Sequence, residues 1–271
     1  MNVPQVPDVE FPRAARYNPR WVAAAVSGGA NPVLLADWLT QAMELRPGMR
    51  VLDLGCGRGA SSVFLAMEFD VHVWSVDLWF ASDERLQRIR DAGVADLVHP
   101  VRADARRLPF AAGSFDAIIS VDAYSYFGTD DLYLGHPARL LRPGGLLGIA
   151  GAPTVREVDA VPEHLRSWWD PTLACLHSPS WWRRHWQRSG FVDVVDATLL
   201  PDGWRHWVEW LRMVNPDNSI EIDAVSADRG ETLGYARVVG RRNGVRSPSP
   251  ITDIPVSYER HPVFVASSPI S

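Results

Sequence analysis

Short apolar runs alternate with helix-periodic stretches from about residue 31 onwards. Val51, Leu52 and Leu54 make the first compact run, followed by Val71-His-Val-Trp-Ser-Val76 and Phe115-Asp-Ala-Ile-Ile-Ser-Val121. Runs without polar alternation suit strands covered on both faces of a parallel sheet. Strands are expected at 50–54, 71–76, 97–103, 115–121 and 145–150, with helices at 60–69, 82–92 and 130–141. Asn31-Pro32 caps an earlier helix running to Leu45, with Leu34, Leu35, Trp38, Leu39 and Ala42 on one face. Beyond residue 177, the pattern predicts a helix from Ser178-Pro179 to Gly190, a strand from Phe191 to Thr198, a helix at 203–214 and a strand from Leu233 to Val239. Right-handed crossovers then give a doubly wound, Rossmann-like α/β fold with seven strands, mostly parallel.

Three segments fall outside that rhythm. Residues 1–30 read as an N-terminal arm and residues 243–271 as a Pro/Ser-rich tail, leaving 31–242 as the domain. Residues 152–177 interrupt the alternation after the fifth strand and are expected to form a lid over the C-terminal edge of the sheet, where open α/β folds bind ligands.

Candidate chemistry concentrates in Arg50-Val-Leu-Asp-Leu-Gly-Cys-Gly-Arg-Gly59. Glycines there let the backbone turn sharply and admit a ligand without Cβ atoms in the way. The helix after them offers free N–H groups to an anionic group. The loop also fits the dinucleotide fingerprint, with Asp77 about 20 residues on as the ribose acid. Asp53 separates the two readings. A carboxylate two residues before the first glycine would repel a diphosphate, whereas a ligand bearing ammonium and sulfonium charges tolerates it.

Bulk properties narrow the partners. A net charge of −5 opposes general binding to a nucleic-acid backbone. No apolar stretch reaches the roughly 20 residues of a membrane helix, and the N-terminus lacks signal-peptide features, so a cytoplasmic protein is expected. Cys56 and Cys175, the two cysteines, form neither a disulfide framework nor a metal-ligand spacing, and no metal site is expected. All 27 basic residues are arginine, which removes Schiff-base chemistry.

With the strand, the glycine loop, Asp77, Asp104 and the Leu141-Arg-Pro-Gly-Gly145 turn in this order, the chain resembles a class I S-adenosylmethionine-dependent methyltransferase across roughly residues 31–240. The resemblance implies S-adenosylmethionine as cofactor. Asp53, Gly55, Cys56 and Gly57 would then lie at its methionine part and Asp77 at the ribose hydroxyls. Leu78 would wall the adenine, beside Trp79. Asp104 would meet the adenine amino group, with the Ala105 N–H nearby, and Asp122 would face the methionine end.

For the transfer itself, Asp122, Tyr126 and His177 are the expected catalytic groups. Tyr124, Trp168 and Trp169 are the expected acceptor contacts, the adjacent tryptophans being unable to share one helical face. No Pro-Pro occurs, so the family motif used on amide and exocyclic amino nitrogens is absent. The expected partner is a small-molecule acceptor, an aromatic, indole or amine-containing secondary metabolite, in a homodimer without nucleic acid or membrane. The alternatives are a nicotinamide-dependent oxidoreductase and a non-catalytic nucleotide-binding module.

Overall fold

A computed structural model describes residues 10–26 and 29–244. Strands β1 (Arg50–Leu54), β2 (His72–Asp77), β3 (Val98–Arg102), β4 (Phe115–Val121), β5 (Leu141–Gly151), β6 (Val192–Leu199) and β7 (Ala236–Arg242) form one sheet in the order β3-β2-β1-β4-β5-β7-β6. The first five strands run parallel, and β7 is antiparallel to both of its neighbours. The chain order reverses between β1 and β4, which opens a crevice at their C-terminal ends.

Alternation along each strand feeds two apolar layers. Val51, Ile119, Leu146 and Val239 face one layer, while Leu52, Leu54, Ile118, Leu147 and Val238 face the other. Helices α1 (Pro19–Ala23), α2 (Pro32–Thr40), α3 (Ala60–Phe69), α8 (Gly203–Val214) and α9 (Ser219–Asp228) contribute buried residues to the first layer. Helices α6 (Gly135–Leu140) and α7 (Pro179–Ser189) contribute to the second. Helix α4 (Ser82–Asp91) adds Ile89 to the first layer, and α5 (Ser125–Gly128) borders the crevice through Tyr126 and Phe127. No helix among the described residues is long and apolar enough to cross a membrane.

The doubly wound fold class holds, and several boundaries move. The expected helix at 130–141 shortens to α6, because residues 131–134 form turns and Leu141 already pairs with Phe115. Arg142-Pro-Gly-Gly145 therefore lies inside β5, at a register shift rather than before the strand. The last strand begins three residues late: Leu233 makes an isolated bridge to Thr154, and β7 starts at Ala236. Helix α9 was not expected. Its apolar residues do not line one face, since Ile220 is exposed while Ile222 and Val225 are buried.

Much of the 152–177 insertion packs on the first layer, while Ala152 and Cys175 meet the crevice at Asp122 and Ser125. Leu165 is fully buried in the first layer, His164 pairs with the buried Asp228 at 2.9 Å, and the Trp168 ring meets Trp207 edge-on at 5.9 Å. It packs against α8 and α9. From the 1–30 arm, Ala25, Val26, Gly29 and Ala30 line the crevice, as described below. Of the 243–271 tail, all but Asn243 and Gly244 lie outside the described residues.

Candidate active site

A cavity of about 650 Å³ occupies the crevice. Its floor is the glycine loop. The Val76 carbonyl accepts N–H bonds from both Gly55 (2.9 Å) and Cys56 (3.0 Å), folding the loop back over β2. Gly55 has φ +76°, and a Cβ there would fall 2.4 Å from the Cβ of Ala123. Only glycine lets the loop pass the end of β4 at that distance. Helix α3 starts directly from this loop with no side-chain cap, so its first N–H groups stay available to a ligand.

Asp53 does not reach the cavity wall; this corrects its assignment as a cofactor contact. It is fully buried beneath the loop, and its Oδ2 accepts the hydroxyls of Ser61 (2.7 Å) and Ser62 (2.6 Å). Ser62 Oγ also lies 2.8 Å from Ser75 Oγ, which lies 3.0 Å from Cys56 Sγ. The carboxylate therefore staples the first turn of α3 to β1. Burial raises its pKa to about 6, against the opposing effect of the two serine hydroxyls.

Asp77 ends β2 at the wall. Its Oδ2 accepts Gly57 N–H at 2.8 Å, and its Oδ1 accepts Trp79 N–H (2.8 Å) and Phe80 N–H (3.1 Å). One carboxylate thus fixes both the glycine loop and the loop carrying Leu78 and Trp79. Those two side chains stand exposed at the rim, Trp79 at 77%. Across from them Asp104 holds Arg106 through two side-chain bonds, Nε to Oδ1 at 3.0 Å and Nη2 to Oδ2 at 2.7 Å. That hydrogen bonding lowers the Asp104 pKa. Ala103, Asp104, Ala105 and Arg106 together line this side.

At the opposite end, Asp122 leaves β4 with φ +52°, a left-handed conformation that aspartate tolerates better than most residues. Its Oδ2 accepts Ala30 N–H at 3.1 Å, its Oδ1 accepts Ala152 N–H at 3.4 Å, and burial raises its pKa to about 6. Gly29 passes so close that a Cβ would fall 2.3 Å from Asp122 Oδ2. Tyr126, 59% exposed, lines the cavity beside Phe127, Thr129 and Asp130. Partial burial and the Asp122 charge raise its phenol pKa.

The structure brings Gly55, Cys56, Gly57, Asp77, Leu78, Asp104, Ala105, Asp122 and Tyr126 to one cavity. Four other assignments need correction. His177 bonds Glu157 at 2.9 Å and stacks on Trp181 at 3.8 Å, away from the cavity lining. Tyr124 is buried in an aromatic cluster with Phe127, Tyr133, Trp182 and Trp186 and borders only a recess of about 30 Å³. Trp168 and Trp169 pack edge-on against each other in the insertion. Apolar packing claims these rings.

Sequence reasoning missed the segment before α2. Ala25, Val26, Gly29, Ala30 and Pro32 line the cavity, held by Arg58 Nη1 to the Val26 carbonyl at 3.3 Å and by Ala30 to Asp122. No periodicity marks an irregular strap, although Gly28-Gly29 ahead of the Asn31 cap was a visible cue. Among the described residues, no cluster of histidine, cysteine and carboxylate side chains is suited to a metal ion.

The donor set fits S-adenosylmethionine. The glycine loop lies at one side, and acidic side chains at both ends suit a ligand with cationic groups and ribose hydroxyls. Comparison with known proteins agrees. Residues 51–145 match the family model described as a methyltransferase domain. The 27-O-demethylrifamycin SV methyltransferase of Amycolatopsis mediterranei is 32% identical over 139 residues, covering 49% of this chain and 50% of that protein. The chain thus spans about half the length of that curated relative. Among solved structures, geranyl diphosphate C-methyltransferase from Streptomyces coelicolor superimposes with a TM-score of 0.62 at 21% identity, over 76% of this chain and 77% of that one. The (4+2)-cyclase SpnF superimposes with a TM-score of 0.61 at 20% identity, covering 77% and 80%. In its glycine cradle, in the order of its acids and over the matched residues 51–145, the chain is similar to the class I S-adenosylmethionine-dependent methyltransferases.

Proposed function

We propose that this protein transfers the methyl group of S-adenosylmethionine to a small-molecule acceptor, an aromatic or amine-bearing secondary metabolite. The observation carrying this reading is the continuity of one cavity from the glycine cradle to Asp122 and Tyr126. The cofactor supplies an electrophilic methyl on a sulfonium. What the chain supplies is position, an effect worth up to about 7–11 kcal/mol when reacting atoms are held in line. Gly55, Cys56 and Gly57 would cradle the methionine part and Asp77 the ribose.

Asp122 sits where an acceptor would enter. With a pKa raised to about 6 it is ionised at neutral pH, yet basic enough to take a proton from an acceptor O–H or N–H. Acceptor charge is constrained too. Asp77, Asp104, Asp122 and Asp130 line the cavity against a single guanidinium, Arg106, which Asp104 already engages. Such a wall favours neutral or cationic acceptors over phosphorylated ones. Phe127, Val26 and Pro32 offer apolar surface for the body of the molecule.

Calorimetric titration with S-adenosylhomocysteine and with NAD tests the cofactor, followed by turnover on matched amine, phenol and phosphorylated acceptors. Binding of the sulfur nucleoside with methylation of an uncharged or cationic acceptor is expected. Uptake of NAD alone would refute the reading. The cyclase on the same fold names a specific alternative outcome, in which the cofactor binds and no acceptor is methylated.

A further inference from the structure

We propose that Arg85 is the positioning residue for the adenosine side of the cofactor site, bracing from beneath the loops that would read the base; the inference rests on the cofactor reading above. Arg85 lies on α4 and is completely buried. Among the described residues no carboxylate comes within ion-pair distance of it, so it is not half of a salt bridge. Its guanidinium instead spans two carbonyls: Nη1 donates to Phe80 O and Nη2 to Val101 O, each at 2.8 Å. Phe80 closes the loop bearing Leu78 and Trp79, and Val101 lies in β3, two residues before the segment Ala103, Asp104, Ala105 and Arg106. Those are the two walls facing each other across the outer part of the cavity.

The stem of the same side chain reaches the third wall. A Cβ on Gly59 would sit 3.7 Å from Arg85 Cδ and 3.8 Å from Cγ, so the aliphatic portion packs directly beneath the end of the glycine loop. One residue therefore sets the distance among three ligand-bearing loops without touching the ligand. A buried charge is expensive to keep. Its planar fork can hold two carbonyls in fixed relative positions, which a lysine ammonium of similar length cannot do with the same geometry.

The test separates bracing from mere stability. Dissociation constants are measured by calorimetry for S-adenosylhomocysteine and for its deaminated analogue, in which a carbonyl oxygen replaces the adenine amino group. Arg85→Met and Arg85→Lys are compared with the unaltered protein. Loss of folded protein lowers the apparent affinity for both nucleosides by the same factor, leaving their ratio unchanged. Displaced walls lower the ratio itself. The unaltered protein should prefer the adenine form by about tenfold, Arg85→Lys should retain part of that preference, and Arg85→Met should reduce it to about twofold or less. Thermal melting of each variant confirms that it is folded, and Arg85→Lys keeps the test open if Arg85→Met does not fold. Unchanged ratios in folded variants would overturn the role of Arg85 while leaving the cofactor reading intact. Failure of the unaltered protein to bind either nucleoside would overturn both.

Discussion

Replacing Asp53 by asparagine should remove a defined pH dependence from the stability of the protein. The carboxyl is fully buried, and its pKa rises from 3.8 to about 6 on folding, chiefly because burial disfavours the charged form. A carboxyl raised in the folded state stabilises that state most where it is protonated. Its contribution is fully present below pH 3.8 and is lost as pH rises through about 6. Linkage gives the size as RT ln[(1 + 10^(6 − pH))/(1 + 10^(3.8 − pH))], using those two values. This is near zero at about pH 7.5 and about 1.4 kcal/mol at about pH 5. The substituted amide cannot titrate, yet its Oδ1 can still accept from Ser61 and Ser62. The difference in unfolding free energy between the native protein and Asp53→Asn should therefore shift by about 1.4 kcal/mol in favour of the native protein over that range. In melting temperature this corresponds to about 3–6 °C for a chain of this size. Denaturant unfolding or calorimetry of both proteins at the two pH values reads it directly, and other titrating groups cancel in the difference. Parallel stability profiles, or a shift of the opposite sign, would refute the burial argument.

Three further outcomes follow from the site. Gly55→Ala should lose measurable binding of S-adenosylhomocysteine and cost on the order of 1–3 kcal/mol in stability, since its Cβ would fall 2.4 Å from that of Ala123 in a left-handed backbone; calorimetry and melting check both. Once an acceptor with a titratable proton is in hand, methylation should fall as pH drops through about 6, where Asp122 is protonated, and Asp122→Asn should lower turnover by about 10²–10⁴-fold while binding the cofactor. His177→Ala should leave cofactor affinity and turnover unchanged and lower stability by about 1 kcal/mol, through loss of the Glu157 pair and the Trp181 stack; reduced turnover in the folded variant would restore His177 to the site.

The strands and the cofactor end were legible because each is dictated locally. Leu52 and Leu54 must be buried together, and the glycines must turn where a ligand or a neighbouring strand approaches. The roles of the acids were less legible, because residue type does not reveal direction. Asp53 alternates with Val51 onto one face and is covered by Ser61 and Ser62, whereas Asp77, one strand over, emerges at the crevice. Aromatic residues misled for a related reason. Trp168 and Trp169 look costly to bury together, but an edge-on pair inside an insertion covers both rings. His177 carried no sign of Glu157, 20 residues away in sequence. The segment ahead of α2 follows no period, and tertiary bonds to Arg58 and Asp122 help to fix its place.

The position of β7 has a consequence for synthesis of the chain. Of the seven strands it leaves the ribosome last, yet it is inserted between β5 and β6, both made before it. Until residues 236–242 emerge, β5 has no partner on its outer side and β6 has none at all. A nascent polypeptide therefore carries open strand edges through this stretch of translation, the kind of surface that pairs with neighbouring chains and recruits chaperones. A stop codon shortly before Ala236 would strand both β5 and β6 permanently, so such a truncation should aggregate rather than merely lose activity.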